Sequence, residues 1–80
     1  MTNNQESGFM SYKLKLSQGD LLSYALKEAL LREEQRRARY LHFANNFRDR
    51  RLKHLFGEFA GISAERLKQL NNLMKQFNIK

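Results

Sequence analysis

Hydrophobic residues recur at helical spacing in two long stretches, and each stretch predicts one amphipathic helix. The first stretch begins near Ser17 or Asp20 and keeps its period as far as Phe47. The second stretch keeps its period over about residues 50–77. The stripe of the first contains Leu22, Leu26, Ala29, Glu33, Tyr40, Phe43, Ala44 and Phe47. The stripe of the second contains Leu52, Leu55, Phe56, Phe59, Ile62, Ser63, Arg66, Leu67, Leu70, Leu73, Met74 and Phe77. The pattern predicts an all-α protein with helices at about 18–47 and 50–77.

The residues between the two stripes predict a short connection. Asn45 and Asn46 tolerate the left-handed conformation that ends helices, and Asp49 can cap the next helix. Because a short connection makes consecutive helices antiparallel neighbours, the two helices form a long hairpin. With the turn centred near residue 48, Glu33 lies level with Ser63 and one turn from Arg66.

The width of the stripes predicts self-association. A lone two-helix hairpin cannot enclose a core, and small single-core chains are marginally stable without oligomerisation. We therefore expect a homodimer, or a higher even oligomer, that forms an antiparallel four-helix bundle. Gly57 and Gly61 interrupt the second helix at a cost of up to about 1 kcal/mol each, which predicts a second backbone close to them.

The first sixteen residues differ from the rest. Residues 1–16 have no helical period and predict a flexible N-terminal arm, in which residues 12–16 alternate apolar and basic side chains. The hairpin then occupies 17–80 of the 80 residues, as one small domain. The chain has no cysteine, which excludes disulfides and cysteine-ligated zinc. With no apolar run near 20 residues and no apolar signal-peptide core, we expect a soluble, cytoplasmic protein without a membrane span.

The net charge of +7 is concentrated in one segment. Residues 36–53 carry a single acidic side chain and seven basic ones, which we call the basic patch. The basic patch consists of Arg36, Arg37, Arg39, Arg48, Arg50, Arg51 and Lys53. Its first interpretation is a solvated face whose long stems cover apolar surface. The alternatives are non-specific binding of nucleic-acid phosphates and attachment to an anionic membrane surface.

Glu33 is a carboxylate at the centre of an apolar stripe, so it must be neutralised, paired or bound to a cation. The favoured interpretation is an ion pair with Arg66, Arg36 or Arg37, and the alternative is a metal ligand. We expect a buried polar cluster in which the Tyr40 hydroxyl bonds to Glu33 or Arg36. The members of that cluster are Glu33, Arg66, Ser63, Arg36 and Tyr40.

The remaining metal candidates are weak. His42 and His54 both point away from the partner helix, although His54 and Glu58 have the spacing of a surface chelate. Glu33, His54 and Glu58 are therefore only weak candidates, and we expect neither a metal site nor a cofactor. No nucleophile elbow, phosphate-binding glycine loop or Ser/His/Asp arrangement is visible, so the sequence predicts a protein that is not an enzyme.

Two segments resemble the ferritin-like superfamily, and rubrerythrin-like proteins most of all. In residues 33–44, Glu33 precedes Tyr40 by seven positions and Ala44 follows four later; residues 52–60 resemble the family's second helix. That family continues with Glu-x-x-His, which supplies two ligands of a di-iron centre, whereas this chain has Ser63 and Arg66 at those positions.

The resemblance implies a half-bundle without an intact di-iron site. The function expected from it is a non-catalytic structural or protein-interaction module, with an unknown protein as a further partner. The alternatives are a metal-binding or redox ferritin-like protein that uses Glu33, and a non-specific nucleic-acid binder that uses the basic patch.

Overall fold

The computed structural model describes residues 17–80, which form an antiparallel hairpin of two α-helices. Helix α1 spans Gln18–Asn46 and helix α2 spans Arg50–Gln76. Both helices end one residue before the predicted limit, because Phe47 and Phe77 serve as C-caps. The predicted arm at 1–16 lies outside the described residues. Within 17–80, neither helix combines the length and the apolarity needed to cross a bilayer.

Side chains cap the N-terminus of each helix. The Ser17 hydroxyl accepts a hydrogen bond from the backbone N–H of Asp20 at 3.0 Å. The Asp49 carboxylate accepts from the backbone N–H groups of Arg51 and Leu52, at 2.8 and 3.2 Å. These bonds satisfy donors that have no partner within the helix, and they set where each helix begins.

The C-terminus of α1 is held by a lysine from the other helix. Lys53 extends its ammonium group back across the turn and donates to the carbonyl oxygens of Ala44 and Asn45, at 3.1 and 3.5 Å. The Asn46 side chain donates to the carbonyl of His42 at 2.7 Å. A cation at this position satisfies terminal carbonyls and complements the negative end of the helix dipole.

Helix α2 ends in a Schellman motif. Asn78 takes the left-handed conformation with φ of 57°, and its backbone N–H donates to the Lys75 carbonyl at 3.1 Å. The N–H of Ile79 donates to the Met74 carbonyl at 2.8 Å. Asparagine is one of the few residues other than glycine that occupies this conformation readily.

Aromatic rings hold the two helices together near the turn. The ring centroids of Tyr40 and Phe59 are 5.3 Å apart, and those of Phe43 and Phe56 are 5.2 Å apart. Phe47 stacks on Phe56 with centroids 5.4 Å apart and an interplanar angle of 17°. Such offset and tilted pairs contribute about 0.5–1.5 kcal/mol each beyond the area they bury.

The hairpin has almost no enclosed interior. Among the described residues only Leu26, Glu33, Ala60 and Ser63 are buried, and two of these four are polar. The two helices form a single layer, and the Cα atoms extend only 13 Å in the thinnest direction. One layer of two helices therefore leaves much of both apolar stripes accessible to solvent.

The exposed apolar residues of α2 lie on one side of that layer, which we call the open face. At about 100° per residue, they fall within about 80° of the helix circumference, and Arg66 lies in the middle of that sector. The exposed large apolar residues of α2 and its C-cap are Leu52, Leu55, Ile62, Leu73 and Phe77, and those of α1 and its caps are Leu21, Tyr24, Leu31 and Phe47.

The two glycines of α2 lie on the side of the helix that faces away from the open face. Gly57 is about 180° from Arg66 around the helix, and Gly61 is about 140° from it. A Cβ added at either glycine would have no heavy atom within 4 Å. The prediction of a second backbone close to these glycines is therefore wrong for the hairpin, which packs its two helices along a different side of α2.

Candidate functional site

Glu33 lies near the middle of α1 and is buried against α2, with only 5% of its surface exposed. Its Oε1 accepts a hydrogen bond from Nη1 of Arg36 at 2.5 Å. The two residues are three positions apart on one helix, where side chains meet on a common face. Of the three arginines that the sequence offered as partners for Glu33, the structure selects Arg36.

The other carboxylate oxygen of Glu33 is left without a partner. Oε2 is buried and makes no hydrogen bond within residues 17–80. An unsatisfied buried acceptor costs about 1–3 kcal/mol, and more when the group is charged. The site is therefore incomplete in the single chain.

Arg66 does not supply the missing bond. It is exposed, and no ion pair joins it to Glu33 in the described part of the chain. The predicted Glu33–Arg66 pair is therefore wrong within one chain. The reason is rotation about α2: Ser63 faces α1 and is 1% exposed, whereas Arg66 lies about 60° further round, towards the open face.

Two small side chains of α2 are buried between the helices. Ser63 and Ala60, on α2, are the two most deeply buried described residues. Neither has the bulk to fill a wide gap between helices, so their burial indicates that the two backbones approach closely at this level. Close approach explains how an acidic side chain on α1 becomes buried in so thin a structure.

Two shallow grooves flank the carboxylate, with volumes of about 220 and 430 Å³. Arg36 and Arg66 line both grooves, Ser63 lines the smaller and Glu33 lines the larger. We call these four residues the polar notch. Tyr40, Phe59 and Ile62 surround the notch in the smaller groove, and Ala29, Arg32, Gln69, Leu70 and Leu73 surround it in the larger.

Tyr40 belongs to the aromatic cluster and not to a hydrogen-bonded network. Its ring packs 5.3 Å from that of Phe59 and 6.2 Å from that of Phe56. Within residues 17–80 its hydroxyl makes no hydrogen bond to Glu33 or Arg36. The predicted hydrogen bond is wrong, and the Tyr40 ring instead packs against Phe56 and Phe59.

The histidines are exposed on the outer surface of the hairpin. His54 Nε2 lies 3.2 Å from Glu58 Oε2, and His42 Nδ1 lies 3.3 Å from the Asn46 side-chain amide. In the described part of the chain, no three side chains of the His, Asp and Glu types come together as metal ligands. Glu33 is separate from both histidines and has one oxygen bonded to an arginine.

The basic patch divides into structural and exposed members. Arg36 bonds to Glu33, and Lys53 caps α1, a role that its position just beyond the turn could have indicated. Arg51 lies 3.9 Å from Asp49, but 93% of its side chain is exposed. The other members, all exposed, are Arg37, Arg39, Arg48 and Arg50.

Sequence reasoning missed the open face as a separate surface. The helical period placed Ile62, Ser63 and Arg66 in one wide stripe, although only Ser63 of these three turns fully towards α1. The signal was present in the angular spread of the stripe, which exceeds what one partner helix can cover.

Comparison with known proteins yields no relative. No family model matches the chain, and neither a curated protein nor a solved structure is similar to it.

Proposed function

We propose that this protein is a non-catalytic interaction module that self-associates through the open face into an antiparallel four-helix bundle. The observation that carries the proposal is the grouping of five exposed large apolar residues in one sector of α2. Exposed apolar residues that share one side of a helix are typical of interaction sites in soluble proteins.

The size of the open face suits a second copy of the hairpin. The face runs from Leu52 to Phe77, which is about 37 Å at 1.5 Å per residue. The side of the two-helix layer that carries this face is about 20 Å wide, so the whole side covers roughly 700 Å² in projection. That area is close to the roughly 800 Å² per partner that stable interfaces bury.

The resemblance to rubrerythrin-like half-bundles supports the same assembly. In that family two hairpins pack into one four-helix bundle, and residues 17–80 of this chain form a single hairpin. Replacement of the Glu-x-x-His ligands by Ser63 and Arg66, together with the bond from Arg36 to Glu33, favours a structural role over metal chemistry. We therefore assign no catalytic residue to this chain.

Sedimentation equilibrium of three proteins tests the proposal: the wild type, Ile62→Lys and Leu31→Lys. Ile62 is 51% exposed on the open face, and Leu31 is 54% exposed on the outer side of α1, half a turn from Tyr40. The two substitutions are chemically matched, and neither removes a buried side chain. We expect dimers for the wild type and Leu31→Lys, and a monomer for Ile62→Lys. A wild type that stays monomeric at about 100 μM, well above the Kd of ordinary specific complexes, would refute the proposal.

The exposed arginines support nucleic-acid binding as a second candidate function. Arg37, Arg39, Arg48, Arg50 and Arg51 project from the turn and the outer faces of the helices, where they are accessible to phosphates. Fluorescence anisotropy with a labelled DNA duplex, measured between about 50 and 200 mM salt, tests this candidate. Tight binding at low salt that falls steeply with salt would support it, and an absence of binding at low salt would eliminate it.

A further inference from the structure

Only one of the two carboxylate oxygens of Glu33 has a hydrogen-bond donor, and the open face carries an arginine that could serve the other. Oε2 is buried without a partner, and Glu33 lines a groove whose lining also includes three arginines. Arg36 is bonded to Oε1, and Arg32 is paired with Glu28 at 3.0 Å. Arg66 is the remaining arginine of this groove, and it has no ion pair within the described residues.

We propose that the Glu33 site is completed in trans, by Arg66 of a second copy donating to Oε2. This inference rests on the proposed self-association through the open face. Arg66 lies in the middle of that face, where it is exposed at the edge of its own groove and accessible to an opposing hairpin. Oε2 is covered in the single hairpin, so the pairing requires the Glu33 carboxylate to turn towards the open face, where Arg66 of the second copy complements its charge.

Two-fold symmetry makes the arrangement reciprocal. In an isologous interface, if residue 66 of one copy contacts residue 33 of the other, the reverse contact forms as well. Each carboxylate then accepts from Arg36 of its own chain and from Arg66 of the other. Both carboxylate oxygens are satisfied, and both Arg66 side chains gain an acceptor as they leave water. The pair would also fix the register of the two hairpins along an otherwise apolar seam.

Mixing two single variants distinguishes pairing in trans from pairing within one chain. The variants are Glu33→Gln and Arg66→Gln, and both replacements remove the charge but keep a polar side chain. In a mixed dimer, trans pairing keeps one complete pair, between Glu33 of the Arg66→Gln chain and Arg66 of the Glu33→Gln chain. The other pair is replaced by two neutral glutamines, so no charge is left without a partner. Pairing within a chain would leave one stranded carboxylate and one stranded guanidinium. Only trans pairing therefore makes the mixed dimer more stable than the mean of the two parent dimers.

Native mass spectrometry after exchange of the two variants measures the populations. We expect the equilibrium constant for mixed-dimer formation to exceed its statistical value by about tenfold or more, as close charge pairs across interfaces do. Helix content by circular dichroism verifies that each variant is folded. If neither variant dimerises alone but the mixture does, the proposal is supported in its strongest form.

The control experiment mixes Glu33→Gln with Arg32→Gln instead of Arg66→Gln. Arg32 lines the same groove, but it already has a partner in Glu28. Its mixture with Glu33→Gln should be statistical. A statistical mixture of Glu33→Gln with Arg66→Gln, or a mixture that fails to associate while the wild type dimerises, overturns the trans pair and leaves self-association intact. A monomeric wild type overturns both.

Discussion

Replacement of Gly57 and Gly61 by alanine should stabilise the protein. Both glycines lie in the interior of α2, and neither has a positive φ, so alanine fits the existing backbone. An added Cβ at either position meets no heavy atom within 4 Å. The only expected change is the loss of backbone freedom in the unfolded chain and the better helix propensity of alanine. That gain is about 0.8–1 kcal/mol per site, or roughly 1.5–2 kcal/mol for the double variant.

Chemical denaturation followed by circular dichroism measures the effect at one fixed protein concentration, because any oligomer makes stability concentration-dependent. In a thermal scan the same gain corresponds to roughly 6–15 °C for a domain of this size. Gly19→Ala serves as the control: this residue is in the first turn of α1, where the added Cβ would lie 3.8 Å from Ser17 Oγ, and the gain should be smaller. A double variant no more stable than the wild type would refute the reasoning. It would show that a partner covers this side of α2 and that the open face is not the principal interface.

Three further substitutions test the interior and the caps. Arg36→Met leaves the buried Glu33 carboxylate without a partner and should lower the free energy of unfolding by about 2–3 kcal/mol. The double variant Arg36→Met, Glu33→Leu should recover most of that loss. Equal free energies of unfolding for the single and double variants would contradict this. Asp49→Ala removes the cap of α2 and should cost about 1 kcal/mol in urea denaturation, whereas Asp49→Asn should cost less. Ser63→Leu forces bulk between two close backbones and should cost about 1–3 kcal/mol by the same assay, whereas the exposed Ala64→Leu should change little.

The helices and their caps were predictable because they depend on interactions between residues close in sequence. The pairing of Glu33 was not, because it depends on how each helix is rotated about its own axis. Ser17 and Asp49 act on backbone groups within three residues of themselves, so a short sequence window contains the whole interaction. The choice between Arg36 and Arg66 as partner of Glu33 depends on a rotation of about 60° in α2, which a stripe as wide as this one cannot resolve.

The same limit explains the error at the glycines. A helical period identifies which residues share a side of α2, but it does not say which side meets α1 when apolar residues extend over a wide arc. The aromatic cluster at Tyr40 and Phe59 decides that rotation through packing between helices, and the outward position of Gly57 follows from it.

The ammonium of Lys53 on the last carbonyls of α1 has a consequence for the order of folding. Lys53 and Ala44 are only nine positions apart, and the neighbouring rings of Phe43 and Phe56 are thirteen apart. Bringing such near neighbours together requires closing a short loop, which costs little chain entropy. The buried residues Glu33 and Ser63 are separated by thirty positions, so burying this part of the hairpin costs less chain entropy once the turn has formed. We therefore expect the hairpin to form first at the turn and then to extend along both helices, so that the Glu33 carboxylate becomes buried late in folding.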